Sequence, residues 1–197
     1  MIDLPADIEE RAAYPLVDRA DRWIFNKLRL AERLGYSCGP SGVDAPAGTY
    51  CLRPVMNLAG NSMGGTLKVI ADGTPESLPY LPGYFWVTWF NGEHRWTDYT
   101  DDVPVYECYG TVSGRRLDYD YRTTGFGAPA LPPFLQGLSK HLVVESIGNK
   151  IIEVAPRHMT HVAPIGTTYM QKVRPTLPWG FDDDIEFRAF YWRITPK

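Results

Sequence analysis

Cysteine is scarce in this chain. Three residues, Cys38, Cys51 and Cys108, stand among 197. An odd number with no C-x-x-C pair argues against a disulfide framework or a zinc ribbon, and free thiols suit a reducing compartment. Long apolar runs are missing too. None approaches the ~20 residues that a membrane-spanning helix requires. The acidic opening MIDLPADIEERAAYPL has no apolar stretch of the signal-peptide kind. The expectation is therefore a cytoplasmic protein with no membrane partner. Neither sign of charge is in large excess: the formal net charge is −3, from 20 Lys and Arg against 23 Asp and Glu. No global field draws nucleic acid, so no nucleic-acid partner is expected. Serine-hydrolase chemistry lacks its G-x-S-x-G elbow, and no cysteine is singled out as a nucleophile beside a histidine.

The residues present are ordinary globular material with many turns. The apolar fraction is 44% and the charged fraction 22%, values at which a core can stand without staples. Gly and Pro number 18 and 17, and are read as punctuation between short strands. The 12 Tyr, 8 Phe and 6 Trp are assigned to core and pocket packing, because no basic stripe accompanies them. No composition shift cuts the chain firmly. It reads as one domain over 1–197, or as two subdomains over about 1–82 and 83–197.

Asp7 and Glu10 have capping-box spacing, and Pro15 interrupts or restarts the short helical turn there. Leu16, Ala20, Trp23, Ile24, Leu28, Ala31 and Leu34 then recur at spacings of three and four, which predicts a helix over 16–34 ended by Gly35. Strands are predicted at 49–55 and 67–71, forming a hairpin with a long glycine-containing connection. The run YFWVTWF (84–90), the turn Asn91-Gly92 and a return strand at 93–99 predict a tight hairpin. Further strands fit 104–109, 117–123, 168–173 and 185–194, and a short helix fits 133–141. HLVVES and KIIEVAP flank Gly148-Asn149 as another hairpin. The fold class expected is α+β, with mostly antiparallel sheets, a long N-terminal helix and one later helix.

Three places could carry chemistry. The loop from Asn57 to Thr66 holds Gly60, Gly64 and Gly65, and successive N–H groups of such a loop can cradle phosphate oxygens. It matches neither the Walker nor the G-x-G-x-x-G pattern and leads into a strand, so a plain connection is the competing explanation. Arg53, just upstream, offers a fixed cation, or is a surface arginine. Glu145 and Glu153 sit on the two arms of the 141–156 hairpin. An ideal turn sets Glu145 opposite Ile152 and Glu153 opposite Val144, so the carboxylates point to opposite faces. A bulge or a one-residue slip would bring them together, where they could share Mg²⁺. A solvated face is the alternative. Arg157 comes just after that strand and could hold a phosphate or carboxylate. His158 and His161 have a metal-ligand spacing without a third ligand, and Asp182, Asp183 and Asp184 read as a solvated turn.

The order of these signals resembles the ATP-grasp ligases. In that family a helix with an aspartate-basic pair and a leucine-to-glycine end precedes a strand closing in Lys-Pro. A glycine-rich loop, an aromatic-to-glycine hairpin and a strand with Glu-x-Asn-x-Arg come next. Here the series is Asp21 to Lys27, Leu30-Ala31, Leu34-Gly35, Ala45-Pro46, Cys51-Leu52-Arg53-Pro54, Gly60 to Gly65, Phe90-Asn91-Gly92-Glu93 to Asp98, and Ile152 to Arg157, spanning about 21–157. The resemblance implies ATP and Mg²⁺ as cofactors and a carboxylate activated as an acyl phosphate for attack by an amine. It places Arg53 on phosphate, covers that phosphate with Ser62, Gly64 and Gly65, and makes Lys68 a helper. It implies Glu145 and Glu153 as metal ligands and Arg157 at the transferred phosphate. The implied partners are a nucleotide and a small-molecule or peptide acceptor, and a homo-oligomer is compatible. Departures are Arg53 for Lys, Val87 and Thr88 where a hinge acid belongs, Ala155 for the metal-binding Asn, and no N-terminal substrate domain. They leave two expectations: an ATP-dependent ligase with a reduced site, or a non-catalytic binding or viral accessory protein. The trimmed chain has the look of a bacteriophage-encoded component, which would place it in the host cytoplasm.

Overall fold

Asn26 decides the start of the molecule. It adopts an extended backbone (φ −97°, ψ 104°), and its side chain accepts from Arg29 N–H at 3.0 Å, capping a helix that begins one residue later. In the computed structural model, which describes residues 13–57, 67–74, 78–113, 116–122, 124–157, 171–172 and 191–192, the expected helix over 16–34 is in fact three pieces. These are 3₁₀ turns at Tyr14–Leu16 and Arg22–Phe25 and the seven-residue α1, Lys27–Arg33. The later helix shrinks to a 3₁₀ turn, Pro133–Leu135, closed by Gly137 at φ 68°. The α+β expectation is therefore corrected. Among the described residues the fold is sheet-rich and has one α-helix. The capping pair Asp7 and Glu10, the histidines 158 and 161 and the aspartates 182–184 lie outside the described residues, as does most of the strands expected at 168–173 and 185–194.

The strands are β1 (Cys38–Pro40), β2 (Gly48–Pro54), β3 (Leu67–Ala71), β4 (Tyr84–Thr88), β5 (His94–Thr100), β6 (Val103–Ser113), β7 (Arg116–Arg122), β8 (His141–Ile147), β9 (Lys150–Ala155), β10 (Gln171–Lys172) and β11 (Tyr191–Trp192). They make a four-stranded sheet in the order β1-β4-β2-β3, a five-stranded sheet in the order β7-β6-β5-β8-β9, and the pair β10-β11. All pairing among the described residues is antiparallel.

Asn91-Gly92 does not close a hairpin. β4 is an inner strand of the four-stranded sheet, with Phe85, Trp86 and Val87 all buried, and it bonds β1 on one side and β2 on the other. β5 belongs to the other sheet. The segment between them crosses from sheet to sheet, and Gly92 has φ 136°. Its bare Cα permits a close approach: a Cβ there would lie 2.9 Å from the Gly148 nitrogen.

Helix α1 packs against both sheets. Leu30 joins Ile24, Phe25, Tyr99, Leu131, Leu135, Leu142, Val144, Ile151 and Val154 in the largest core, on one face of the five-stranded sheet. Ala31 packs with Phe85 and Val87 of the four-stranded sheet, with Leu28, Cys38 and Cys51 alongside. Burial of this kind contributes about 25 cal/mol per Å² of apolar surface. Lys27 N–H donates to Val55 O at 2.8 Å, which ties the start of α1 to the end of β2.

Candidate functional site

The β8–β9 hairpin turns at Gly148, whose φ of 58° is one that glycine adopts without strain. Ile147 faces Lys150 and Ser146 faces Ile151, the register an ideal turn sets. The register then shifts, and Glu145 stands opposite Glu153. Ile152 is the extra residue, a β-bulge that re-aims the side chains after it. Directly opposed residues project to one side of a sheet, so the two carboxylates share a face, and the unbulged register with Ile152 and Val144 as their partners is corrected.

Arg53 meets them from the other sheet. It is buried, not a surface arginine. One guanidinium nitrogen lies 3.0 Å from Glu153 Oε2, and another donates to the bulged Ile152 O at 3.5 Å. Lys27, at the first turn of α1, places Nζ 2.8 Å from the same Oε2. Asn57, three residues past β2, donates from Nδ2 to Glu153 Oε1 at 2.5 Å and accepts from Lys27 Nζ through its Oδ1. Glu145 Oε1 is 2.5 Å from His94 Nε2, and the His94 ring lies against Trp96 with centroids 4.0 Å apart. The result is a row of buried and half-buried polar groups that joins α1, β2, β9, β8 and β5.

Burial by itself would raise the Glu153 carboxyl. The Lys27 and Arg53 charges and the hydrogen bonds from Lys27 and Asn57 outweigh it, so Glu153 is held well below the usual carboxylate range. Burial likewise works against the Arg53 charge, but the negative neighbours, Glu153 foremost, raise its pKa above the ordinary arginine value. Both groups are thus ionised, and each is the other's counter-charge. A buried charge left alone would be costly, and mutual pairing with further hydrogen bonds is how such groups are tolerated.

The cluster brings together three of the residues expected from sequence, namely Arg53, Glu145 and Glu153. Arg157 comes after β9, half-buried, with its backbone N–H on Ala155 O at 2.9 Å. Lys68 is on β3 opposite Cys51. Ser62, Gly64 and Gly65 lie outside the described residues. Sequence reasoning does not single out Lys27, Asn57 or His94. Lys27 has a detectable signal, since it falls three and four residues after Ile24 and Trp23, on the apolar stripe of the helix expected over 16–34, where a charge needs a partner. His94 has none.

Mg²⁺ takes oxygen ligands at about 2.1 Å in near-octahedral array. Glu153 has both cations on Oε2 and Asn57 on Oε1, so the positions a metal would take are held by ammonium, guanidinium and amide groups. In this arrangement the residues do not fit Mg²⁺. No three His, Cys, Asp or Glu side chains converge as a metal site among the described residues. Thiol chemistry has little encouragement at Cys38, whose pKa is pushed up by burial and by the Glu32 carboxylate. Among the described residues no helix is long and apolar enough to cross a membrane. No family model matches the chain, and no curated protein matches it.

Proposed function

We propose that this chain acts by binding, as a non-catalytic or accessory protein, and that the Lys27–Arg53–Glu153 cluster is a joint between its two sheets. One observation carries this reading: the carboxylate best placed to hold a metal has both oxygens engaged by internal partners. A site prepared for a metal and a triphosphate keeps its ligands and cations available to them. Here the opposite charges neutralise one another, and the pairing links β2 of one sheet to β9 of the other across 100 residues of sequence.

A second reading is supported by the convergence itself. Arg53, Glu145 and Glu153 meet from distant parts of the chain, as an ATP-dependent ligase would require. In that reading a bound triphosphate would take Lys27 and Arg53 from Glu153, and Mg²⁺ would take the two freed carboxylates. Thermal unfolding with Mg-ATP in large excess separates the two. A ligand at 100 times its Kd adds about 2.7 kcal/mol to stability. The binding-protein reading predicts no shift. A clear rise that Arg53→Ala and Glu153→Gln abolish would establish the ligase reading in its place.

A further inference from the structure

The Asn-Gly pair that fails to form a hairpin is left in a chemically exposed position. Asn91 and Gly92 are both exposed in the crossing between the sheets. The Gly92 amide N–H makes no hydrogen bond among the described residues. In a two-residue hairpin the flanking ladder would clamp this dipeptide; here no strand contains it. Trp89 Nε1 donates to Asn91 Oδ1 at 3.2 Å. That bond draws electron density from the side-chain amide and makes its carbon more open to attack. Glycine at the next position has no side chain to stand beside the attacking nitrogen.

We propose that Asn91 is a site of spontaneous covalent modification, converting through a cyclic imide to aspartate and isoaspartate. The Gly92 backbone nitrogen attacks Asn91 Cγ and loses its proton to solvent hydroxide. A C–N bond forms, the bond from Cγ to the side-chain nitrogen breaks, and ammonia leaves with a proton from water. Water then opens the ring at either carbonyl. Opening at the side-chain carbonyl breaks its bond to the ring nitrogen and gives aspartate; opening at the backbone carbonyl breaks the other bond and gives isoaspartate, with one more methylene in the main chain. No oxidant or reductant is involved.

The surroundings make the change consequential. The new carboxylate arises two residues before Glu93, which pairs with Arg95 at 2.6 Å. Arg95 also donates to Gly148 O at 2.7 Å, and Gly148 N–H donates to Glu93 O at 2.8 Å. A lengthened main chain at 91 therefore strains the contact that seats the turn of the β8–β9 hairpin. The other dipeptide of related chemistry, Asp72-Gly73, is differently placed. The Asp72 carboxylate accepts from Thr74 N–H at 2.9 Å and Thr74 Oγ1 at 2.6 Å. Those bonds hold the carboxylate in its ionised, poorly electrophilic form.

The test is peptide mass mapping of the folded full-length chain after incubation at mildly alkaline and at mildly acidic pH, with the same chain in urea as the unfolded reference. Residue 91 should gain the mass of an amide NH2 exchanged for OH before Asn26, Asn57, Asn61 or Asn149, faster at the alkaline pH, and at a folded rate within a few-fold of the unfolded one. Asn91→Gln should remove that product. Retention of intact Asn91 in the folded chain while the unfolded chain converts, or earlier conversion of another asparagine, would overturn the proposal.

Discussion

Glu153 and Glu107 are both carboxylates drawn into the five-stranded sheet, and they connect different parts of the molecule. Glu153 is on the edge strand β9, with 17% of its side chain exposed, and has two full cations within 3.0 Å. Glu107 is on the inner strand β6 and is fully buried. Its close partners include neutral donors: Thr97 Oγ1 at 3.1 Å and the Gly127 N–H at 3.2 Å, with Arg95 Nε at 3.9 Å. One acid ties two sheets together. The other pins the segment at Gly127 onto a sheet face, where a Cβ would lie 2.8 Å from Arg95 Nε and would have to displace that side chain. Burial alone does not distinguish a joint from a pin; the elements that the partners belong to do.

The comparison is broken most severely by removing the edge acid. Glu153→Ala leaves Lys27 and Arg53 buried without their counter-charge and should cost roughly 3–5 kcal/mol, seen as a lower denaturant midpoint. Glu107→Gln keeps the shape but puts an NH2 where donors now point, and should cost about 1–3 kcal/mol. A larger loss for Glu107→Gln than for Glu153→Ala would reverse the ranking.

Acid should act on the same pair. The folded pKa of Glu153 is below its unfolded value of about 4.5. Its contribution is therefore fully present above that pH and falls away as the pH drops toward the folded value. Urea midpoints measured from pH 6 downward should decline more steeply for the wild type than for Glu153→Gln. Equal slopes would show that Glu153 is not the titrating group. At the small end stands Arg29→Ala, which removes an exposed pair with Glu32 at 3.0 Å. A change of about 0.5 kcal/mol or less is expected.

Local chemistry makes some of this legible. The 141–155 hairpin is readable because Gly148 sits between two β-branched runs. A bulge there is foreseeable as one of two ways, the other being a one-residue slip, to bring Glu145 and Glu153 together. Other features depend on partners distant in sequence. The apolar spacing over 16–34 is real, but Asn26 prefers to cap, and the docking of Lys27 N–H on Val55 O fixes where the helix begins. Phe85, Trp86 and Val87 form an unbroken apolar run because β4 is an inner strand, and such a run has no vacancy for a hairpin partner supplied by its own turn. At the cluster, the resemblance implies Arg53 on a phosphate and the two glutamates on a metal, and it carries no expectation that these charges neutralise one another. That outcome depends on Lys27 and Asn57, whose roles emerge once α1 lies between the sheets.

The most direct test is a double-mutant cycle between Arg53 and Glu153, read by equilibrium unfolding. If the pair is a structural joint, Arg53→Met and Glu153→Gln each destabilise, and the double variant loses less than their sum, with a coupling of about 0.5–3 kcal/mol. If Glu153→Gln instead stabilises the chain and the two effects simply add, the carboxylate is being held at a cost for a ligand, and the account given for this cluster is contradicted.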